Sequence, residues 1–147
     1  MRYYFRLTTA VLCLLVTVFW LFSCEKKKEG KVIVTEKQFV IRQDTDHSYV
    51  LDASGKVKNV GDVDVKKVVV TGYCRSCGDL MQSDRWFISN TGKTQDQQDV
   101  ISYLAAGVEE EFHFREVAFC YGQVGIKRPE MPDQLEIVIE SFETVND

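Results

Sequence analysis

Apolar and polar residues alternate with a period of two along most of the chain after Lys31. Between His47 and Val60, apolar side chains alternate through Tyr49, Leu51, Ala53 and later Val57, and residues 135–142 show a similar alternation. Residues 31–35 and 38–42 open with runs of β-branched residues. Because a two-residue period places successive side chains on opposite faces of a strand, these segments predict β-strands.

The spacing of these segments predicts the fold class. Further strands are expected at 65–74, 86–88, 100–104 and 108–114, with a turn at 60–64 and loops at 89–98 and 122–134. Gly61-Asp62 in the turn is typical of a β-hairpin. The pattern contains no amphipathic helix, βαβ unit or repeat, which disfavours Rossmann-type and thioredoxin-type folds. We expect an all-β antiparallel β-sandwich of about seven strands over residues 32–147.

The first 23 residues have a different character. Arg2 and Arg6 precede an almost uninterrupted apolar stretch of 16 residues, Leu7 to Phe22, and no acidic residue lies among them. This is the layout of a secretory signal. As a helix the stretch would span roughly 24 Å, which is short of the roughly 30 Å hydrocarbon core of a bilayer. Residues 1–23 are therefore predicted to be a signal peptide rather than a permanent membrane span.

The end of this stretch carries a second signal. It reads Leu21-Phe22-Ser23-Cys24 and is followed by the polar residues 25–30. A small residue before a cysteine at this place resembles the lipobox of bacterial lipoproteins. The resemblance implies cleavage before Cys24, a diacylglycerol on its sulfur, and an acyl chain such as palmitate on the new amino terminus.

Lipidation at Cys24 would fix where the protein works. Each buried methylene contributes about 0.8 kcal/mol, and two or more chains hold a protein stably on a membrane surface. Residues 24–31 would then be the lipidated cysteine and a polar tether. The expected location is the cell membrane or outer membrane, with the domain outside the cytoplasm. An uncleaved N-terminal anchor with an incidental Cys24 is the alternative.

The charge balance limits the partners. The 147 residues include 18 Lys and Arg against 22 Asp and Glu, and residues 24–147 carry 16 basic and 22 acidic groups. This acidic chain does not suit a nucleic-acid platform, so no nucleic-acid partner is expected. Hydrophobic residues at 45% and charged residues at 27% are ordinary values for one globular domain.

Two stretches of the chain resemble a known family. Residues 54–70 read Ser-Gly-Lys-Val-Lys-Asn-Val-Gly-Asp-Val-Asp-Val-Lys-Lys-Val-Val-Val, and residues 104–112 read Leu-Ala-Ala-Gly-Val-Glu-Glu-Glu-Phe. They resemble FxLyD-type domains, which are small immunoglobulin-like sandwiches common on bacterial lipoproteins and other surface proteins. The chain departs from that family at Gly72-Tyr73-Cys74, where the family has Leu-Tyr-Asp. Turn-and-core motifs of this kind imply a fold and not a reaction.

Three cysteines remain in the exported part: Cys74, Cys77 and Cys120. An oxidising compartment favours disulfides between them. The C-x-x-C pair formed by the first two could be a redox dithiol, a structural bridge, or half of a zinc site completed by Cys120 and either His113 or His47.

Loop-closure entropy favours one of the structural alternatives. A bridge from Cys74 to Cys120 is worth roughly 4 kcal/mol, against roughly 2 kcal/mol for Cys74 to Cys77. Both Cys74 and Cys120 end apolar runs whose strands are expected to be neighbours in one sheet. The preferred prediction is a bridge from Cys120 to the C-x-x-C pair, with Cys74 favoured and one thiol spare.

The remaining polar residues form no recognisable catalytic constellation. His113 lies between two phenylalanines and is expected to face solvent, and His47 is expected in a turn. The chain has no G-x-S-x-G motif, no glycine-rich phosphate loop and no complete EF-hand loop. No cofactor is predicted.

These observations predict a membrane-anchored envelope lipoprotein that binds or scaffolds without catalysis. An envelope protein or wall component is the expected partner, contacted through strand edges or through the segment from Gly78 to Gln98. An extracytoplasmic thiol-disulfide or metal-handling protein that uses Cys74, Cys77 and Cys120 is the alternative.

Overall fold

The computed structural model describes residues 28–88 and 92–145. The predicted signal peptide and Cys24 lie outside these ranges. Seven strands follow one another within them: β1 Val32–Thr45, β2 Ser48–Asn59, β3 Val65–Cys74, β4 Trp86–Phe87, β5 Gln98–Leu104, β6 Glu109–Tyr121 and β7 Leu135–Thr144. A short 3₁₀ turn, Gln95–Gln97, precedes β5. Across the described ranges, no helix has the length and apolar character needed to cross a bilayer.

The strands form two antiparallel sheets. One has the order β1-β2-β6-β4 and the other the order β5-β3-β7. This arrangement confirms the predicted all-β antiparallel sandwich of about seven strands. Two predicted segments, 31–35 and 38–42, prove to be parts of the single strand β1, which is irregular between Val34 and Glu36. Strand β6 likewise runs on to Tyr121 through an irregularity that includes Glu116, whose φ is 60°.

The core lies between the two sheets and is filled mainly by valine and phenylalanine. Phe112 and Phe114 are each 2% exposed, and their ring centroids lie 5.6 Å apart. The alternate residues Val68 and Val70 of β3 are fully buried, as is Leu51 of β2. Burying each of these side chains contributes about 1.5–3 kcal/mol. The burial that the period-two pattern predicts is therefore a main source of stability.

The turn at 60–64 forms where the sequence predicts it, but it does not close a hairpin. Strand β2 pairs with β1 and β6, whereas β3 pairs with β5 and β7, so the turn carries the chain from one sheet to the other. The fully buried Asn59 organises this crossing. Its Nδ2 donates to the carbonyls of Val63 at 2.8 Å and Leu104 at 3.1 Å, and its Oδ1 accepts the Gly61 N–H at 3.0 Å. The side chain thus satisfies polar groups that the crossing would otherwise leave buried and unpaired.

Strand registers define two ends of the sandwich. The proximal end is the one at which the described chain begins. There Val32 pairs with Asn59, and the Asp62 N–H donates to the Glu29 carbonyl. At the distal end Ser48 pairs with Tyr121, and the last residue of β3 pairs with the first residue of β7. The 14 residues of β1 separate the ends by about 40 Å at roughly 3.3 Å per residue.

Candidate functional site

The distal end holds the three described cysteines, but their pairing differs from the preferred prediction. Cys74 is bridged to Cys77, with Cα atoms 5.4 Å apart, and Cys120 is a free, buried cysteine. The prediction that the strands of Cys74 and Cys120 are neighbours in one sheet was wrong, because β3 lies in the three-stranded sheet and β6 in the four-stranded sheet. The turn after β3 instead returns the chain to within the 4.4–6.8 Å range that a disulfide needs.

The surroundings of Cys120 keep its thiol unreactive. The residue is fully buried in β6, opposite Trp86 of β4. Burial raises the pKa of the Cys120 thiol, and the negative charge of Asp84 raises it further. Because the thiolate is the nucleophile in disulfide exchange, a raised pKa lowers the reactivity of this residue.

The histidines named as alternative zinc ligands lie apart from the cysteines or on the surface. His113 is exposed on β6, seven residues before Cys120, which corresponds to about 20 Å along a strand. His47 is exposed in the β1–β2 turn, where its carbonyl accepts the Gly122 N–H at 2.9 Å. Among residues 28–88 and 92–145, no group of three or more His, Cys, Asp or Glu side chains is placed to hold a metal ion.

A groove of about 720 Å³ opens beside the disulfide at the distal end. We call it the distal groove. Its two walls are the segment 76–86, which follows the disulfide, and the segment 129–133, which precedes β7. The volume lies within the roughly 300–1,000 Å³ typical of ligand-binding sites. The following residues line it: Ser76, Cys77, Gly78, Asp79, Leu80, Gln82, Asp84, Arg85, Trp86, Pro129, Glu130, Met131, Pro132 and Asp133.

Hydrogen bonds tie the two walls together. The indole Nε1 of Trp86 donates to the Glu130 carbonyl at 2.7 Å, and the Ser76 hydroxyl donates to the Asp133 carbonyl. The Arg75 N–H donates to the Gln134 carbonyl at 3.0 Å. With the Cys74–Cys77 bridge, these contacts hold the groove in one shape without a ligand, which lowers the entropic cost of binding.

An aromatic surface continues the groove across the outer face of the four-stranded sheet. Phe87, Phe119 and Tyr121, which we call the aromatic shelf, have ring centroids 5.6–6.5 Å apart. They point outward because the alternate residues of β6 face the core. A hollow of about 340 Å³ lies between the shelf and the segment 79–81. Asp79 and Leu80 line both this hollow and the distal groove, so the two form one continuous surface.

The charges of the distal groove are strongly biased. Four carboxylates, those of Asp79, Asp84, Glu130 and Asp133, line it against the single guanidinium of Arg85. In the part of the chain that the structure describes, none of the four carboxylates takes part in an ion pair. No ion pair within the described residues therefore neutralises their negative charge, although the basic residues 127 and 128 line an adjoining hollow that shares Asp84 and Glu130 with the groove.

A second hollow, of about 810 Å³, differs in this respect. It lies beside the irregular part of β1, and His113 is among its lining residues. There the Lys56 ammonium forms an ion pair with Glu36 at 3.2 Å, which raises the pKa of the lysine. The His113 N–H donates to the Asp99 carboxylate at 2.9 Å. The charged side chains of Lys56, Glu36 and Asp99 in this hollow are thus already paired within the chain.

Sequence reasoning located only part of this site. It named the segment from Gly78 to Gln98 as a contact surface, and that segment supplies one groove wall. It missed the opposite wall at 129–133, which carries no recognisable motif. Pro129 and Pro132 were its only sequence signal, as they indicate an extended loop of fixed shape.

Comparison with known proteins identifies no relative, since no protein-family model, curated protein or solved structure matches the chain. The resemblances to bacterial lipoproteins and to FxLyD-type domains therefore stay predictions.

Proposed function

We propose that this protein is a lipid-anchored β-sandwich of the bacterial cell envelope that binds a partner protein at its distal end and performs no catalysis. The lipobox-like sequence ending in Cys24 supports the anchor. The observation that carries the binding role is the position of the distal groove, at the end of the sandwich opposite to the start of the described chain. A tether at the N-terminus would hold the groove away from the membrane and towards other envelope components.

The chemistry of the groove supports binding rather than catalysis. Its cysteine, Cys77, is held in the disulfide, and its serine hydroxyl, on Ser76, donates to a backbone carbonyl. Nucleophilic catalysis instead requires a hydroxyl or thiol beside a general base. The exposed apolar side chains of Leu80 and Met131 are more typical of a protein-binding surface.

Site-specific photo-crosslinking in cells tests this proposal. A photoreactive amino acid would replace Leu80 at the groove in one strain and the exposed proximal residue Asp62 in a matched strain. We expect a discrete crosslinked protein species from position 80, recovered with the membranes, and none of comparable yield from position 62. Equal yields from the two positions, or recovery of the protein from the cytoplasm, would contradict the proposal.

A thiol-disulfide role is the second candidate, because Cys77 lines the distal groove where a partner could reach it. Its test is the reduction potential of the Cys74–Cys77 pair. A potential near −120 to −200 mV, roughly that of disulfide oxidants and isomerases, would support redox work. A potential below about −300 mV would support a structural bridge.

A further inference from the structure

The chemistry of the distal groove narrows the class of partner, and this inference rests on the proposed binding function. Carboxylates lie on both walls: Asp79 and Asp84 on one, Glu130 and Asp133 on the other. A chain seated between the walls would therefore meet negative charge on each side. Arg85 is the single cation among the lining residues.

Apolar side chains are interspersed with these carboxylates. Leu80 is 65% exposed and Met131 is 43% exposed, although both are large hydrophobic residues at the rim of the groove. Met81, 69% exposed, borders the hollow that leads to the aromatic shelf. Exposing apolar groups of this kind to water is unfavourable in free energy, and a partner that covers them removes this cost.

The shape of the surface favours an elongated occupant. The distal groove and the hollow beside the aromatic shelf share Asp79 and Leu80, and together they run from segment 129–133 to Phe87 and Tyr121. A compact small molecule would fill one part of this path, whereas an extended chain could contact all of it. An extended backbone also directs alternate side chains to opposite sides, which suits two walls of mixed chemistry.

We propose that the distal groove and the aromatic shelf bind an extended segment of a partner polypeptide that carries lysine or arginine beside large apolar residues. The basic side chains pair with the carboxylates of the walls, and the apolar side chains cover Leu80, Met81 and the shelf. Electrostatic complementarity provides selectivity and speeds association, and burial of the apolar groups provides most of the affinity.

The test measures binding of defined peptides to the membrane-extracted protein in nanodiscs of uncharged phosphatidylcholine. The probe is a fluorescent nonapeptide of three Gly-Lys-Leu repeats, read by fluorescence anisotropy against empty nanodiscs. Two matched peptides replace every lysine by glutamate or every leucine by serine. We expect the Gly-Lys-Leu peptide to bind saturably and both matched peptides to bind at least about tenfold more weakly.

Groove variants locate the binding. Since an exposed ion pair is worth up to about 1 kcal/mol, the double variant Asp79→Asn/Asp133→Asn is expected to weaken binding about five- to tenfold. Leu80→Ser is expected to weaken it by a similar factor while preserving its salt dependence. The control Glu110→Gln/Asp96→Asn removes the same amount of charge from exposed positions outside the groove and is expected to bind like the unaltered protein.

The outcomes separate this inference from the proposed function. The inferred partner class would be overturned by any of three results. The glutamate peptide binds more tightly than the Gly-Lys-Leu peptide, the control variant weakens binding as much as the groove variant does, or none of the three peptides binds saturably. The proposed function would still stand if crosslinking from position 80 in cells yields a protein partner. If the protein extracted from membranes carries no lipid but binds the peptides in the expected pattern, the inferred groove is supported and the proposed anchor is rejected.

Discussion

At the scale of single residues, Asn59 contributes more than its place in a turn motif indicates. Its side chain is fully buried and contacts the backbone of the turn and of β5. Its own backbone joins the same junction, since the Asn59 N–H donates to the Val108 carbonyl at 3.0 Å and its carbonyl accepts the Gly107 N–H at 2.8 Å. One residue thus connects three chain segments at the proximal end.

Replacing this side chain is expected to be costly. Asn59→Ala would leave the carbonyls of Val63 and Leu104 and the Gly61 N–H without their side-chain partner. Because unpaired buried polar groups cost about 1–3 kcal/mol each and water can reach some of them, we expect a loss of about 2–4 kcal/mol in the free energy of unfolding. Urea unfolding followed by circular dichroism measures it. Asp62→Ala, at an exposed position of the same turn, is the control, and an equal loss there would refute this role.

At the scale of elements, the disulfide fixes the start of the loop that follows β3. Removing it by Cys74→Ala/Cys77→Ala is expected to lower the free energy of unfolding by about 2 kcal/mol, the value for a bridge that closes so short a loop. Stability of this variant should no longer change on addition of a reductant. Cys120→Ala is the control, which should stay sensitive to the reductant. If Cys120→Ala abolishes the sensitivity to the reductant instead, the bridge involves Cys120.

The contact between Trp86 and the Glu130 carbonyl joins two loops that are far apart in sequence. Trp86→Phe keeps an aromatic ring but removes the N–H donor. We expect the segments around Arg85 and Lys127 to open more often, so trypsin cleavage after these residues should accelerate several-fold. Cleavage after Lys37, within β1, serves as the internal control. Unchanged cleavage after Arg85 and Lys127 would show that the hydrogen bond does not hold the groove walls.

The elements differ in how far the sequence predicts them. Strands with a period-two sequence pattern, such as β2 and β7, were predicted from local order, although burial does not alternate strictly in either: residues 48–51 of β2 are all buried, and no residue of β7 is fully buried. The sequence at 60–64 predicts a hairpin because Gly61-Asp62 fits a tight turn either in a hairpin or in a crossing between sheets. Only the distant hydrogen-bond partners of Asn59 distinguish the two. The cysteine pairing was wrong for a related reason. Loop-closure entropy describes the unfolded chain and does not determine which native strands lie together.

At the scale of the whole molecule, the proposed function depends on the direction of the sandwich relative to the proposed anchor. The strand registers separate the proximal entry of the chain from the distal groove by the length of β1. A lipid on Cys24 followed by a short polar tether would place the proximal end next to the membrane. The four carboxylates of the distal groove and the aromatic shelf would then lie away from the membrane, where an envelope partner protein could reach them.

The intact mass of the protein extracted from membranes tests this account most directly. We predict a polypeptide that begins at Cys24 and carries the added mass of a diacylglycerol and one further acyl chain. The variant Cys24→Ser should lack this added mass and leave the membrane fraction. An unmodified chain that retains residues 1–23 and is recovered in the soluble cell interior would contradict the account.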